Sequence, residues 1–128
     1  MGSQNSGAVH CVTLFVYGSL KRGFANADRL DGAVFVRRAR TAPGYRLHVV
    51  GGYPALVAAG GGVVCGEVYG VTVEHLAALD AFEGVPSLYE RASVELDDGE
   101  TAEAYVMSEA RVSGYAIVPG DEWVEGRR

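Results

Sequence analysis

Hydrophobic positions along this chain come in short bursts, each cut off by glycine, proline or aspartate. Residues 12–17, Val-Thr-Leu-Phe-Val-Tyr, form the densest burst and read as a buried strand ending at Gly18-Ser19. Residues 24–30 suggest a helical turn, with Asn26 or Asp28 as its cap and Leu30 facing inward, before a turn at Asp31-Gly32. Residues 33–41 alternate at Val34 and Val36, less cleanly at Arg38 and Arg40, as a strand with one wet face does. After Pro43-Gly44, residues 45–50 predict another strand with Tyr45, Leu47 and Val49 on one side. Gly51-Gly52 breaks it, and Tyr53-Pro54 introduces a short apolar segment at 55–58. Gly60-Gly61-Gly62 reads as a flexible turn, and 63–71 as the next strand.

One helix stands out. Thr72 is an N-cap, Glu74 lies in the first turn, and Leu76, Leu79 and Phe82 recur at helical spacing, which predicts a helix over 73–82. Gly84 and Pro86 stop it. Residues 87–96 and 101–107 then pair as strands around the hairpin turn Asp97-Asp98-Gly99. The remainder holds Tyr115, Ile117 and Val118 before Pro119-Gly120-Asp121-Glu122-Trp123. Several strands, one convincing helix and no βαβ rhythm predict a small mixed α+β fold. Its strands would curl into a closed or partly closed barrel whose mouth takes a ligand.

Composition sharpens this in a few respects. The 128 residues suit one domain at 10–128, preceded by a small, polar and flexible tail at 1–9 that lacks the parts of a secretory signal. Eighteen glycines favour short strands and tight turns over a helical bundle. A net charge of −5 argues against nucleic acid or an anionic membrane as partner. No apolar run approaches the ~20 residues of a membrane span, so a cytoplasmic protein is expected. Cys11 and Cys65 read as reduced structural thiols rather than a disulfide. His10, His48 and His75 are scattered without metal-ligand spacing, so no metal is expected.

Candidate chemistry is sparse. Gly18 lets the backbone approach a ligand, and successive N–H groups in such a turn form an anion-binding nest, so the 17–20 loop is read as the floor of a small-molecule site rather than an ordinary turn. Lys21 and Arg22 beside it read as solvated cations. Ser19 lacks the GxSxG elbow of a nucleophile, and the glycines at 60–62 are not followed by the GK[ST] of a P-loop. Glu83 is the acid of most interest. At a helix C-terminus, after Leu79, Ala81 and Phe82, its carboxylate is disfavoured by both dipole and apolar wall, and the raised pKa suits a general base. The competing reading is an exposed helix-end glutamate. Glu67 faces either the interior or solvent and reads as structural first.

The segment Phe15-Val16-Tyr17-Gly18-Ser19-Leu20-Lys21-Arg22-Gly23 resembles the signature loop of the gamma-glutamylcyclotransferase superfamily. The branch containing gamma-glutamylamine cyclotransferase and the butirosin-pathway cyclotransferase is the nearest in pattern. The likeness continues through Gly44-Tyr45, Tyr53-Pro54, Gly66-Glu67-Val68-Tyr69 and Leu79-Asp80-Ala81-Phe82-Glu83-Gly84. It resumes at Tyr89-Glu90-Arg91, Ala104-Tyr105-Val106 and Pro119–Trp123. The resemblance implies a small mixed-strand β-barrel with flanking helices. Backbone groups of Tyr17, Gly18, Ser19 and Leu20 would hold the α-carboxylate and amine of a γ-glutamyl group, and Glu83 would take the catalytic acid position. Tyr89 and Tyr115 would line the pocket, with Tyr53 and Pro54 at its mouth. The implied reaction is cofactor-independent: the α-amine attacks the γ-carbonyl, expels an amine and closes 5-oxoproline. Two alternatives stand beside it: a non-catalytic member that binds a metabolite or partner protein, and a hydrolase using Cys65 or Glu67. The motifs recognise only the γ-glutamyl end, and set neither the leaving amine nor the oligomeric state.

Overall fold

The computed structural model describes residues 12–123. The expected tail at 1–9, together with His10 and Cys11, lies outside them. Seven strands form one mixed sheet: β1 (Val12–Val16), β2 (Val34–Arg40), β3 (Tyr45–Val50), β4 (Tyr53–Gly62), β5 (Cys65–Val71), β6 (Glu90–Glu95) and β7 (Thr101–Val106). The order is β2-β5-β1-β7-β4-β3, with β6 also paired to β7. β1 runs antiparallel to β5 and parallel to β7, and β7 is parallel to β4. A 3-10 turn at Ala27–Leu30 and two helices, α1 (Val73–Glu83) and α2 (Glu109–Val112), complete the described elements.

β1 is central, and its sequence shows why. Leu14 and Val16 on one face join a core containing Tyr69, Val71 and Met107, with Leu76 and Leu79 from α1. Phe15 and Tyr17 on the other face join Leu56, Val64, Val94 and Leu96. A strand buried on both sides carries a continuous apolar run rather than an alternating one. Each leucine that α1 buries contributes about 1.5–3 kcal/mol relative to exposure. The helix is bounded as its caps require. Thr72 Oγ1 accepts from His75 N at 3.0 Å, and Gly84, at φ +71°, turns the chain off the helix while its N–H and that of Val85 return to Ala81 and Asp80.

Three expectations need correction, and one short helix has no counterpart among them. The sheet does not close into a barrel: β2 and β3 remain its two ends. The glycines at 60–62 are not a free turn but the end of the ten-residue β4, where Gly62 alone of the three pairs with β3, at Tyr45, across an irregularity in register. In β2 the expected alternation is out of phase. Val34 and Val36 are 61% and 54% exposed, while Phe35 turns in against the Tyr69 ring, edge-on at 5.5 Å. The alternation itself continues through a register shift between Phe35 and Arg37, with Val34, Val36, Arg38 and Arg40 all on the exposed face. Finally, Ser108 caps the four-residue α2, a helix too short to show a periodicity.

Candidate functional site

Where β1 ends, the chain turns sharply beside a cavity of about 320 Å³. The turn is built from its own backbone: Lys21 N–H donates to Gly18 O and Asn26 N–H to Ser19 O, while Asn26 Nδ2 donates to Ser19 Oγ at 2.8 Å. Asn26 thus holds the expected N-cap position of the 3-10 turn, but its side chain ties the loop instead of making a capping bond. The backbone N–H groups of Gly18, Ser19 and Leu20 make no hydrogen bond to any described residue. Gly18 permits close approach of Pro54: a Cβ there would stand 2.8 Å from Pro54 Cγ.

Two buried charges hold this loop from outside the cavity. Glu67, 5% exposed, accepts from Arg22 N at 2.9 Å and from the Tyr69 hydroxyl at 3.1 Å. Lys21 is not the solvated cation that its position after a turn suggested. It is 2% exposed, donates to Trp123 O at 2.8 Å and meets Glu122 at 3.3 Å, with the Phe24 ring 4.5 Å away. Burial raises the Glu122 carboxyl, but the charges of Lys21 and Arg38 outweigh it and hold the group below the ordinary value. No local feature distinguishes Lys21 from Arg22, which is exposed and stacks its guanidinium on Phe35.

Tyr17, Gly18, Ser19, Leu20, Tyr53, Pro54, Glu83 and Tyr89 all line the one cavity. Tyr115 does not; it is 48% exposed, and its carbonyl accepts from His48 Nδ1 at 2.9 Å, His48 Nε2 in turn accepting from Arg46 Nε at 2.8 Å. Tyr105 and Met107 from the β7 end, Phe82 from α1, and Val50 and Leu88 complete much of the wall. Their contribution depends on which strands become neighbours, and no local motif announces it.

Four tyrosines line the cavity, and the hydroxyls of three, Tyr17, Tyr89 and Tyr105, are occupied. Tyr17 donates to Tyr105 O, Tyr89 to Pro54 O at 2.8 Å, and Tyr105 to Asp80 Oδ1 at 2.7 Å. Burial first, then neighbouring acids and phenols, hold all three above the ordinary phenol value, and the charge of Glu83 contributes to each. Asp80 also receives Arg91 Nε at 2.9 Å, which pins the end of α1 to the β6–β7 pair. Glu83 differs. Neither a hydrogen bond nor an ion pair engages its carboxylate among the described residues, and desolvation by burial pushes its pKa up to about 7. Among the described lining residues it alone titrates near neutrality.

The other candidates lie apart. Cys65 is a free, half-buried thiol on the opposite flank of β5, beside Arg40 and Asp97, and burial together with Asp121 pushes its pKa up, against nucleophilic use. Glu67 is fully engaged in holding the loop. Among the described residues no group of three His, Cys, Asp or Glu side chains is placed to hold a metal ion, and no helix is long and apolar enough to cross a membrane.

Known proteins of one family resemble this chain in sequence and fold. Residues 14–125 match the model of the family described as gamma-glutamyl cyclotransferase, AIG2-like. The zebrafish (Danio rerio) gamma-glutamylaminecyclotransferase A is 37% identical over 111 residues, covering 77% of this chain and 69% of that protein. Human gamma-glutamylaminecyclotransferase is 44% identical over 87 residues, or 61% of this chain and 57% of that one. The crystal structure of an AIG2-like protein from mouse superposes with a TM-score of 0.72 at 29% identity, covering 90% of this chain and 89% of its own.

Proposed function

The chain belongs to the AIG2-like gamma-glutamyl cyclotransferase family, and on that premise we propose that it releases an amine from a γ-glutamyl amide with closure of 5-oxoproline. The observation that carries the proposal is the unpartnered, half-buried Glu83 in the cavity that the 17–20 turn borders. In this reading the N–H groups of Gly18, Ser19 and Leu20, unbonded among the described residues, receive the α-carboxylate, which needs no cationic side chain when successive amides converge. Glu83 takes a proton from the α-ammonium. The freed amine attacks the γ-carbonyl, and Glu83 hands its proton to the departing nitrogen as the C–N bond breaks and the five-membered ring closes. The regenerated carboxylate takes the second proton from the ring nitrogen and passes it to the released amine or to water. A pKa of about 7 allows the group both to accept and to return the proton near neutral pH.

Because nucleophile and target share one molecule, holding the chain folded supplies much of the rate. Effective molarities of about 10⁵–10⁸ M are reached by well-aligned intramolecular reactions. The apolar walls assist by limiting water, which would otherwise compete as nucleophile and yield glutamate. The test is incubation with γ-glutamyl amines, γ-glutamyl dipeptides and a γ-glutamylated aminoglycoside, read by mass spectrometry. Formation of 5-oxoproline with free amine is expected. Release of glutamate would replace ring closure with hydrolysis, and binding without turnover would make the chain a non-catalytic member.

A further inference from the structure

Glu83 has no hydrogen-bond partner among the described residues although four tyrosines share its cavity. A hydroxyl donated to its carboxylate would favour the charged form and weaken it as a base. Tyr17, at the end of β1, and Tyr89, just before β6, give their protons to the carbonyls of Tyr105 and Pro54 instead. Tyr53 stands at the mouth, 57% exposed, with solvent as its partner. Arg29 lies on the Phe82 ring at 4.1 Å but outside the lining, and no Lys, Arg or His is among the described lining residues. That leaves Tyr105 of β7, which is 3% exposed and donates its hydroxyl to Asp80 Oδ1 at 2.7 Å.

Asp80 and Glu83 are three residues apart on α1, so their side chains are neighbours on one side of the helix. The hydroxyl that Asp80 accepts therefore lies beside Glu83 as well. The same Oδ1 accepts from Arg91 Nε at 2.9 Å, and Arg91 Nη1 reaches Glu103 at 2.8 Å, which fixes the acceptor in place. A carboxylate held in this way competes well for the phenol proton, since charge-assisted hydrogen bonds are about twice as strong as neutral ones. Resting on the function proposed above, we infer that Asp80 is a positioning residue that holds the Tyr105 hydroxyl proton away from Glu83 and so keeps that carboxylate free for the reaction. Without Asp80 the hydroxyl rotates about its C–O bond and donates to Glu83, because a buried hydroxyl does not stay unpaired. One hydrogen bond replaces another, and no atom is transferred.

The titration of Glu83 tests this and needs no turnover. It is read by NMR from the side-chain carboxyl carbon in isotope-labelled protein, assigned by its loss in Glu83→Gln. Asp80→Ala should lower the Glu83 pKa by about one pH unit or more. Loss of the Asp80 charge acts in the same direction, so Tyr105→Phe is used to separate the two causes. With Asp80 present that substitution should leave Glu83 within about 0.3 pH unit of its native value; in Asp80→Ala it should raise the Glu83 pKa by about one pH unit. The acid limb of kcat/KM for 5-oxoproline formation should move in step. Should the alanine variant fail to fold, Asp80→Asn keeps the shape and a weaker acceptor, and Tyr105→Phe should then raise the Glu83 pKa by about half as much. An effect of Tyr105→Phe no larger with Asp80 replaced than with Asp80 present overturns the inference and leaves ring closure standing. If no compound yields 5-oxoproline, the function proposed above fails separately, and the carbon titration still decides whether Asp80 holds the Tyr105 proton.

Discussion

Glu67 and Glu83 flank the same turn and have opposite fates. Glu67 is the more deeply buried, yet its Oε1 accepts from both Arg22 N–H and the Tyr69 hydroxyl, and Arg22 Nε lies 3.8 Å from its Oε2. Glu83 is less buried but has no hydrogen-bond or ion-pair partner among the described residues, and its pKa moves to about 7. Burial alone therefore does not mark a chemical carboxylate; burial without partners does. The first acid fixes where the turn lies, and the second is free to exchange a proton with whatever the turn holds.

The sharpest way to break this contrast is to remove each carboxylate in turn. Glu83→Gln should cut turnover by about 10²–10⁴-fold, the usual contribution of a positioned base, in steady-state assays of 5-oxoproline formation. Glu67→Ala should act on the fold first. It strands the Arg22 N–H and the Tyr69 hydroxyl, each worth about 1–3 kcal/mol when left buried and unsatisfied, and urea unfolding should register the loss. Its remaining activity should show a raised KM, because the turn is no longer held.

A pH series of stability separates the two acids further. The folded-state pKa of Glu83 lies above its ordinary 4.5, so between about pH 4.5 and 7 the native state keeps a proton that the unfolded chain has lost. Stability should therefore fall as pH rises through that window, by about 2–3 kcal/mol at most, and Glu83→Gln should flatten the slope. Lys21→Met should have the smallest effect of the set, about 1–2 kcal/mol by urea unfolding, since the methionine keeps the stem's packing and loses only the charged bonds to Trp123 O and Glu122. A loss no greater than that of an exposed surface substitution would show that the segment at 122–123 does not brace the turn.

Much of this architecture is legible in the residues, for identifiable reasons. The run at 12–16 is continuous because β1 is buried on both faces, and Thr72 and Gly84 bound α1 because caps are local chemistry. The hairpin at 97–99 is local in the same way, Gly99 N–H returning to Leu96 O. What escapes is whatever depends on a distant partner. Gly62 is held in β4 because Tyr45 of β3 lies alongside, and Val36 faces out because Phe35 takes the inward position against Tyr69. Lys21 is buried by a segment a hundred residues away, and Tyr105 and Met107 reach the cavity because β7 lies beside β1. Within the site, the turn, the acid at the helix end and Tyr53-Pro54 could be read in advance, whereas Val50, Leu88, Tyr105 and Met107 required the fold.

The most direct trial of the account is the pH profile of kcat/KM for 5-oxoproline formation, measured on the native chain and on Glu83→Gln side by side. The native profile should rise along an acid limb with an apparent pKa near 7, and the variant should be slow and lack that limb. A variant that retains both the native rate and the native limb would show that the proton moves through some other group, and Glu83 would lose its place in the chemistry.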